Sequence, residues 1–340
     1  MAKINLLTIH YGKCYGAVMQ TYATCKLLEE SGHDVKVINL VHPQCRKVYL
    51  NWRKWADLIR EYQFYLFKRN FFSPLTNKSY SISGIKLPDA DITLVGSDQV
   101  WNREITDEFG HTFYLDFVPE NQKKIAFCSS FGKSEWVESE QYTSELKEMF
   151  KQFHAISIRE KSGVEIMRNV FNLDSINLQD PTIGYANFKH LIYNEKPLDC
   201  IFTFLLNASD DARLKAKYIA DSMGVPLYKR NFINRYLFNG PRHWLTNIYN
   251  AKYVITDSFH GLALSIIFRK QFFVFCANHK KFTRLKSLLE LLGLTDRYIS
   301  TINDFNNRKC SLLTPIDYVK VDSILMDERI KFQEFITSIY

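Results

Sequence analysis

Apolar residues recur along this chain in short runs that alternate with one-sided helical stripes. Ile4 to Ile9 is a compact apolar run, which predicts a buried strand. From Ala17 to Ser31, Val18, Tyr22, Cys25 and Leu28 return at helical spacing, and Gly32 supplies a stop. Val35 to Leu40 is the next apolar run, so the chain opens as a strand–helix–strand unit of a parallel sheet. Strands are predicted again at 92–95, 124–128, 155–158 and 176–178, with helices over 138–153 and 164–171. A second alternation starts at Cys200 to Leu206. Helices follow over 212–223 and 243–250, with strands at 226–228, 253–255 and 272–275. Helices are also predicted over 262–268, 284–292 and 321–339.

This pattern predicts an α/β protein of two Rossmann-like parallel-sheet domains facing an interdomain cleft. The first covers 1–190 and carries an insertion at 41–85. The second covers 197–315. The segment 316–340 is a C-terminal helix that crosses back to the N-terminal domain. A length of 340 residues agrees with two domains, and an apolar fraction of 46% fills two cores. No run of about 18 apolar residues predicts a transmembrane helix, and the N-terminus lacks the pattern of a secretory signal. Seven cysteines at scattered spacings, without C-x-x-C, read as reduced thiols. A cytoplasmic protein is the expectation.

The net charge of +8 is concentrated. Between Val41 and Tyr80 stand eight basic residues against Asp57 and Glu61. There Trp52, Trp55, Ile59, Tyr62 and Leu66 form an apolar stripe at helical spacing, flanked by Arg53, Lys54, Arg60, Lys68 and Arg69. Such a helix suits peripheral contact with the inner face of a membrane, and equally suits packing on the body of the protein. No nucleic-acid-binding module is recognisable.

Candidate chemistry falls where strands end, because open parallel sheets bind ligands at their carboxyl edges. The segment Thr256-Asp257-Ser258-Phe259-His260-Gly261 joins the 253–255 strand to an apolar helix. His260 is a proton-transfer candidate there. Asp257 is placed to orient it or hold a substrate hydroxyl, or else to cap the helix. Asp98 follows the 92–95 strand and suits a sugar hydroxyl, or else an N-cap. Trp101 and Asn102 nearby are residue types that stack on sugars and bond to them, though Trp is common in cores. Arg159 follows an apolar strand and suits a phosphate or carboxylate, or else an ion pair with Glu160. The turn before Ala17 has only Gly12 and Gly16, so it matches no phosphate-loop pattern. The N–H groups of Gly16 and Ala17 still open a helix, where anions are favoured.

Six segments in order resemble the polysaccharide pyruvyl transferase family. These are His10-Tyr11 through Tyr15-Gly16-Ala17-Val18, Val95 to Asn102, Ser129-Ser130-Phe131-Gly132, Ser157 to Gly163, Asp180-Pro181-Thr182 and Thr256 to Gly261. The resemblance implies a GT-B-like fold and transfer of a pyruvyl group from phosphoenolpyruvate to a sugar hydroxyl pair. The product is a ketal on a surface polysaccharide or its lipid-linked precursor, as for capsule and exopolysaccharide. It implies His260 as the acid/base and Arg159 as a ligand of the donor, with Asp98 proposed for the acceptor hydroxyl. Together with the placements above, the expected site has His260 and Asp98 as catalytic residues, Arg159, Lys161, Ser258, Gly261, Gly16 and Ala17 at the donor, and Asp257, Trp101, Asn102 and Tyr15 at the acceptor. No metal and no cofactor beyond the donor substrate is required. The partner implied is a sugar or lipid-linked oligosaccharide. Many relatives carry Arg where this chain has Ser258, and Cys14 replaces an expected Asn. A GT-B glycosyltransferase using a nucleotide sugar and a non-catalytic carbohydrate-binding component are the competing readings.

Overall fold

The computed structural model describes residues 1–46, 54–229, 239–275 and 279–339. The chain divides into two compact units. One comprises Met1–Lys54, Phe64–Tyr185 and Asp327–Tyr340, the other Trp55–Gln63 and Ala186–Met326.

The first unit is built on six parallel strands, β1 (Lys3–Leu7), β2 (Asp34–Val37), β3 (Ile92–Val95), β4 (Lys123–Ser129), β5 (Phe153–Ile158) and β6 (Ile176–Asn177). Their order is β2-β1-β3-β4-β5-β6, so the chain reverses direction across the sheet between β1 and β3. The strands are short and nearly continuous in apolar residues because helices cover both faces, as all-parallel sheets demand. The helix Tyr15–Glu30 returns the chain from β1 to β2. One face holds Leu7, Val95, Trp101, Phe131, Phe150 and Phe171. The other holds Leu6, Leu94, Phe127 and Leu178, closed by Phe332, Phe335 and Ile336 of the final helix, Tyr318–Ser338.

Among the described residues the second unit has three parallel strands, β7 (Leu198–Phe204), β8 (Ala251–Thr256) and β9 (Gln271–Val274), with β8 central. Single bridges from Leu227 to Ile201 and from Tyr298 to Val274 extend it at each side. The strand predicted at 226–228 is therefore one bridge. A helix at Ile302–Leu313 was not expected. Only Phe305 and Leu312 of it are fully buried, too few to make a visible stripe.

The basic segment contains the helix Lys54–Phe71. Phe64 and Phe67 face inward, 1% and 3% exposed, whereas Tyr62 is 59% exposed. This corrects the predicted stripe. Ile59 and Leu66 are half-buried, Tyr62 points out, and the inward anchors are two phenylalanines outside the stripe. Trp52 and Arg53 lie outside the described residues, as do the side chains of Lys54 and Trp55. Among the described residues no helix is long and apolar enough to cross a membrane.

Candidate functional site

Each sheet sends polar loops from its carboxyl edge. In the first unit the loop after β3 lies at the reversal point of the strand order, where a crevice forms in open α/β sheets. Gly96 N–H donates to Leu7 O at 2.8 Å and the Thr8 hydroxyl to Ser97 O at 2.8 Å, which ties this loop to β1. Asp98 follows with a left-handed backbone, φ 80°. A non-glycine residue held there marks a local constraint that the surroundings must enforce. Its Oδ1 accepts Gln99 N–H at 2.9 Å, and its backbone bridges to Ser129 at the end of β4.

Arg159, directly after β5, is 5% exposed. Its Nη1 donates to Asp180 Oδ2 at 2.8 Å, and its Nη2 lies 4.0 Å from Asp98 Oδ1. Asp180 is fully buried, and its Oδ1 accepts Thr182 N–H at 2.9 Å. The Asp-Pro-Thr segment thus starts a short helix, Pro181–Tyr185, and neutralises the arginine at once. Burial alone would weaken the guanidinium's hold on its proton. The nearby carboxylates, Asp180 first and then Asp98 and Glu160, outweigh this and raise its pKa. The tight partner of Arg159 is therefore Asp180, where the sequence suggested Glu160. Glu160 instead accepts the Ser130 hydroxyl and Phe131 N–H, both at 2.9 Å, and so fastens the loop after β4. Sequence reasoning named both residues but missed their roles: Asp180 as the partner of Arg159 and Glu160 as the fastener of the loop after β4. Residues 159 and 180 follow strands that are neighbours in the sheet, β5 and β6, and this brings the pair together.

Two expected sugar contacts are corrected. Trp101 is 2% exposed, its indole N–H donates to Phe113 O at 3.1 Å, and its ring packs on Phe131 and Phe150 at 5.1 and 4.8 Å. A ring enclosed on these sides is a core residue and offers no stacking face. Tyr15 is 8% exposed and packs on Phe64 at 5.0 Å. Asn102 is also occupied. Its side chain caps the Arg103–Thr106 turn through Glu104 N–H and donates to Gln99 at 2.7 Å. Lys161 is exposed at the start of the helix Lys161–Ile166. Gly16 and Ala17 lie in the first turn of Tyr15–Glu30, whose N-cap, Cys14, makes no side-chain capping hydrogen bond. First-turn N–H groups lie outside the intrahelical ladder.

His10, three residues beyond β1, is fully buried. Its Nδ1 lies 3.0 Å from Thr8 O and its Nε2 3.1 Å from the Asn39 side chain. Burial dominates and lowers its pKa to about 4, so the ring is neutral near pH 7.

In the second unit the helix after β8 begins at Phe259, three residues earlier than predicted, so His260 stands in its first turn. Ser258 is the N-cap, 5% exposed, with its hydroxyl accepting Gly261 N–H at 3.3 Å. Gly261 is required by packing, since a Cβ there would collide with Thr256 Oγ1. Asp257 is not the cap. Its two oxygens accept Leu206 and Asn207 N–H at 2.5 and 2.9 Å, which fixes the loop after β7. Both of these partners are backbone groups. His260 is half-buried beside the Phe259 ring, 5.4 Å between centroids.

The fold is that of GT-B glycosyltransferases. Arabidopsis thaliana UGT89C1 in complex with quercetin superposes with TM-score 0.52 at 10% identity, over 99% of each chain. The same enzyme in complex with UDP-L-rhamnose gives 0.50, at 10% identity over 99% of each. No curated protein is detectably similar in sequence. The family model described as polysaccharide pyruvyl transferase matches residues 15–279, well over half of the chain and a span holding both sheet edges. The chain belongs to the polysaccharide pyruvyl transferase family.

Proposed function

We propose that this protein transfers a pyruvyl group from phosphoenolpyruvate to a pair of hydroxyls on a sugar of a surface polysaccharide or its lipid-linked precursor. The observation that carries the reading is His260 in the first turn of the helix that follows β8, within the matched span. Proton delivery to the enol CH₂ carbon makes C2 electrophilic. A sugar hydroxyl attacks C2, phosphate leaves, and a second hydroxyl closes the ketal. An imidazole is suited to the proton transfers. Arg159, its plane fixed by Asp180, is the ligand for the donor's anionic groups, and Asp98 is the carboxylate for an acceptor hydroxyl. The first-turn N–H groups of Gly16 and Ala17 add donors for an anion. Lys161 is a further cation for the same ligand.

Ligand-dependent stabilisation tests the donor. A ligand that binds only the folded state at a hundred times its Kd stabilises it by about 2.7 kcal/mol. Phosphoenolpyruvate is expected to raise the melting temperature of the wild type, and of Arg159→Gln less. Stabilisation by a nucleoside diphosphate and none by phosphoenolpyruvate would favour a glycosyltransferase. The neutral N-cap Ser258 at the helix start is the observation that keeps this second reading open.

A further inference from the structure

Two carboxylates share the Arg159 guanidinium unequally. Asp180 makes a 2.8 Å hydrogen bond to Nη1, is fully buried, and spends its other oxygen on Thr182 N–H. Asp98 Oδ1 lies 4.0 Å from Nη2, beyond hydrogen-bond range, and its side chain is 19% exposed. Asp98 also sits on a left-handed backbone at the end of β3, where the strand order reverses and ligands enter such sheets. Asp180 is built in, whereas Asp98 stands beside the cation at the surface.

We infer that Asp180 is the positioning residue that fixes the plane of Arg159 for the donor, and that Asp98 is an anion that competes with the donor for the same guanidinium. The inference rests on the donor reading above. A guanidinium is a rigid planar fork, so a carboxylate seated on Nη1 sets the direction of its remaining N–H groups. A phosphate or carboxylate approaching that fork meets the negative charge of Asp98 as well. Asp98 therefore weakens donor binding while serving the acceptor hydroxyl. The two acids have opposite signatures on donor affinity, although both lie next to one arginine.

Titration calorimetry of phosphoenolpyruvate into the full-length protein separates them. Asp180→Asn is expected to weaken donor binding at least tenfold. Asp98→Asn is expected to tighten it by on the order of three- to tenfold, the effect of removing one like charge at a few ångströms in a partly screened setting, while turnover falls. A merely structural role for either acid lowers melting temperature and does not drive the two affinities apart. If Asp180→Asn does not fold, Asp98→Asn decides alone, because its side chain is partly exposed and its hydrogen bond from Gln99 N–H is local. Weaker or unchanged donor binding in Asp98→Asn overturns the inference. A wild type that binds no phosphoenolpyruvate overturns the donor reading first, and this inference with it.

Discussion

The carboxyl edges of the two sheets are made by different means. In the first unit, charged side chains do the positioning: the buried Arg159 and Asp180 bind each other, the half-buried Glu160 binds the neighbouring loop, and Asp98 sits beside them. In the second unit the work falls to neutral hydroxyls and backbone groups. Thr256 Oγ1 donates to Phe204 O and accepts Ser258 N–H, and Ser258 caps the helix that carries His260. The one charged side chain of that turn that packs inward, Asp257, takes two backbone N–H groups. A network of buried charges is costly to break, because the partner left behind is an unpaired charge. A hydroxyl network loses about one hydrogen bond at a time. The first edge should therefore be stiff and sensitive to mutation, and the second tolerant everywhere except at the group that does chemistry.

The largest expected effect is on turnover in the second unit. His260→Ala should lower kcat by roughly 10²- to 10⁴-fold, the usual contribution of a general acid or base, with little change in melting temperature. A variant with wild-type turnover would remove His260 from the mechanism. Next comes stability in the first unit. Arg159→Ala strands the buried Asp180 carboxylate and should cost about 3–5 kcal/mol in denaturant unfolding. Trp101→Ala should cost about 3–5 kcal/mol, as for any enclosed indole. If Trp101→Ala instead left stability intact and raised only KM for the sugar, the ring would be a ligand platform after all.

His10 gives a pH signature confined to the first unit. Its folded pKa, about 4, lies below the ordinary 6.5. Between these values the unfolded chain binds the proton and the folded protein resists it. Stability therefore rises with pH across about 4 to 6.5 and is lost as pH falls through that window. The full contribution is on the order of 3 kcal/mol. His10→Gln should flatten the stability–pH profile there, and an unchanged slope would assign the acid sensitivity elsewhere. The smallest effect is the cap. Ser258→Ala should cost about 1 kcal/mol, in keeping with a hydroxyl network that fails gradually.

Much of this architecture was legible because apolar runs bounded by polar turns mark buried parallel strands. β3 falls at the residues the pattern names, 92–95, and the remaining strand ends shift by three residues or fewer. Helix starts were harder to read. Phe259 and His260 read as turn because the helix's apolar run begins only at Leu262, whereas Ser258 is already the cap. Side-chain partners were the least legible. Trp101 has the same residue type whether it stacks on a sugar or on Phe150, and only the fold decides. Asp180 and Arg159 were each singled out as strand-end residues, yet their pairing depends on β5 and β6 being neighbours, which one sequence does not state.

The central claim is the donor, and phosphorus NMR of the purified protein with phosphoenolpyruvate and a set of sugar acceptors tests it most directly. The account predicts that the enolpyruvyl phosphate signal gives way to inorganic phosphate when an acceptor sugar is present, and that His260→Ala slows the conversion. A phosphoenolpyruvate signal that persists unchanged, while a nucleotide sugar is consumed by the same protein, would contradict it.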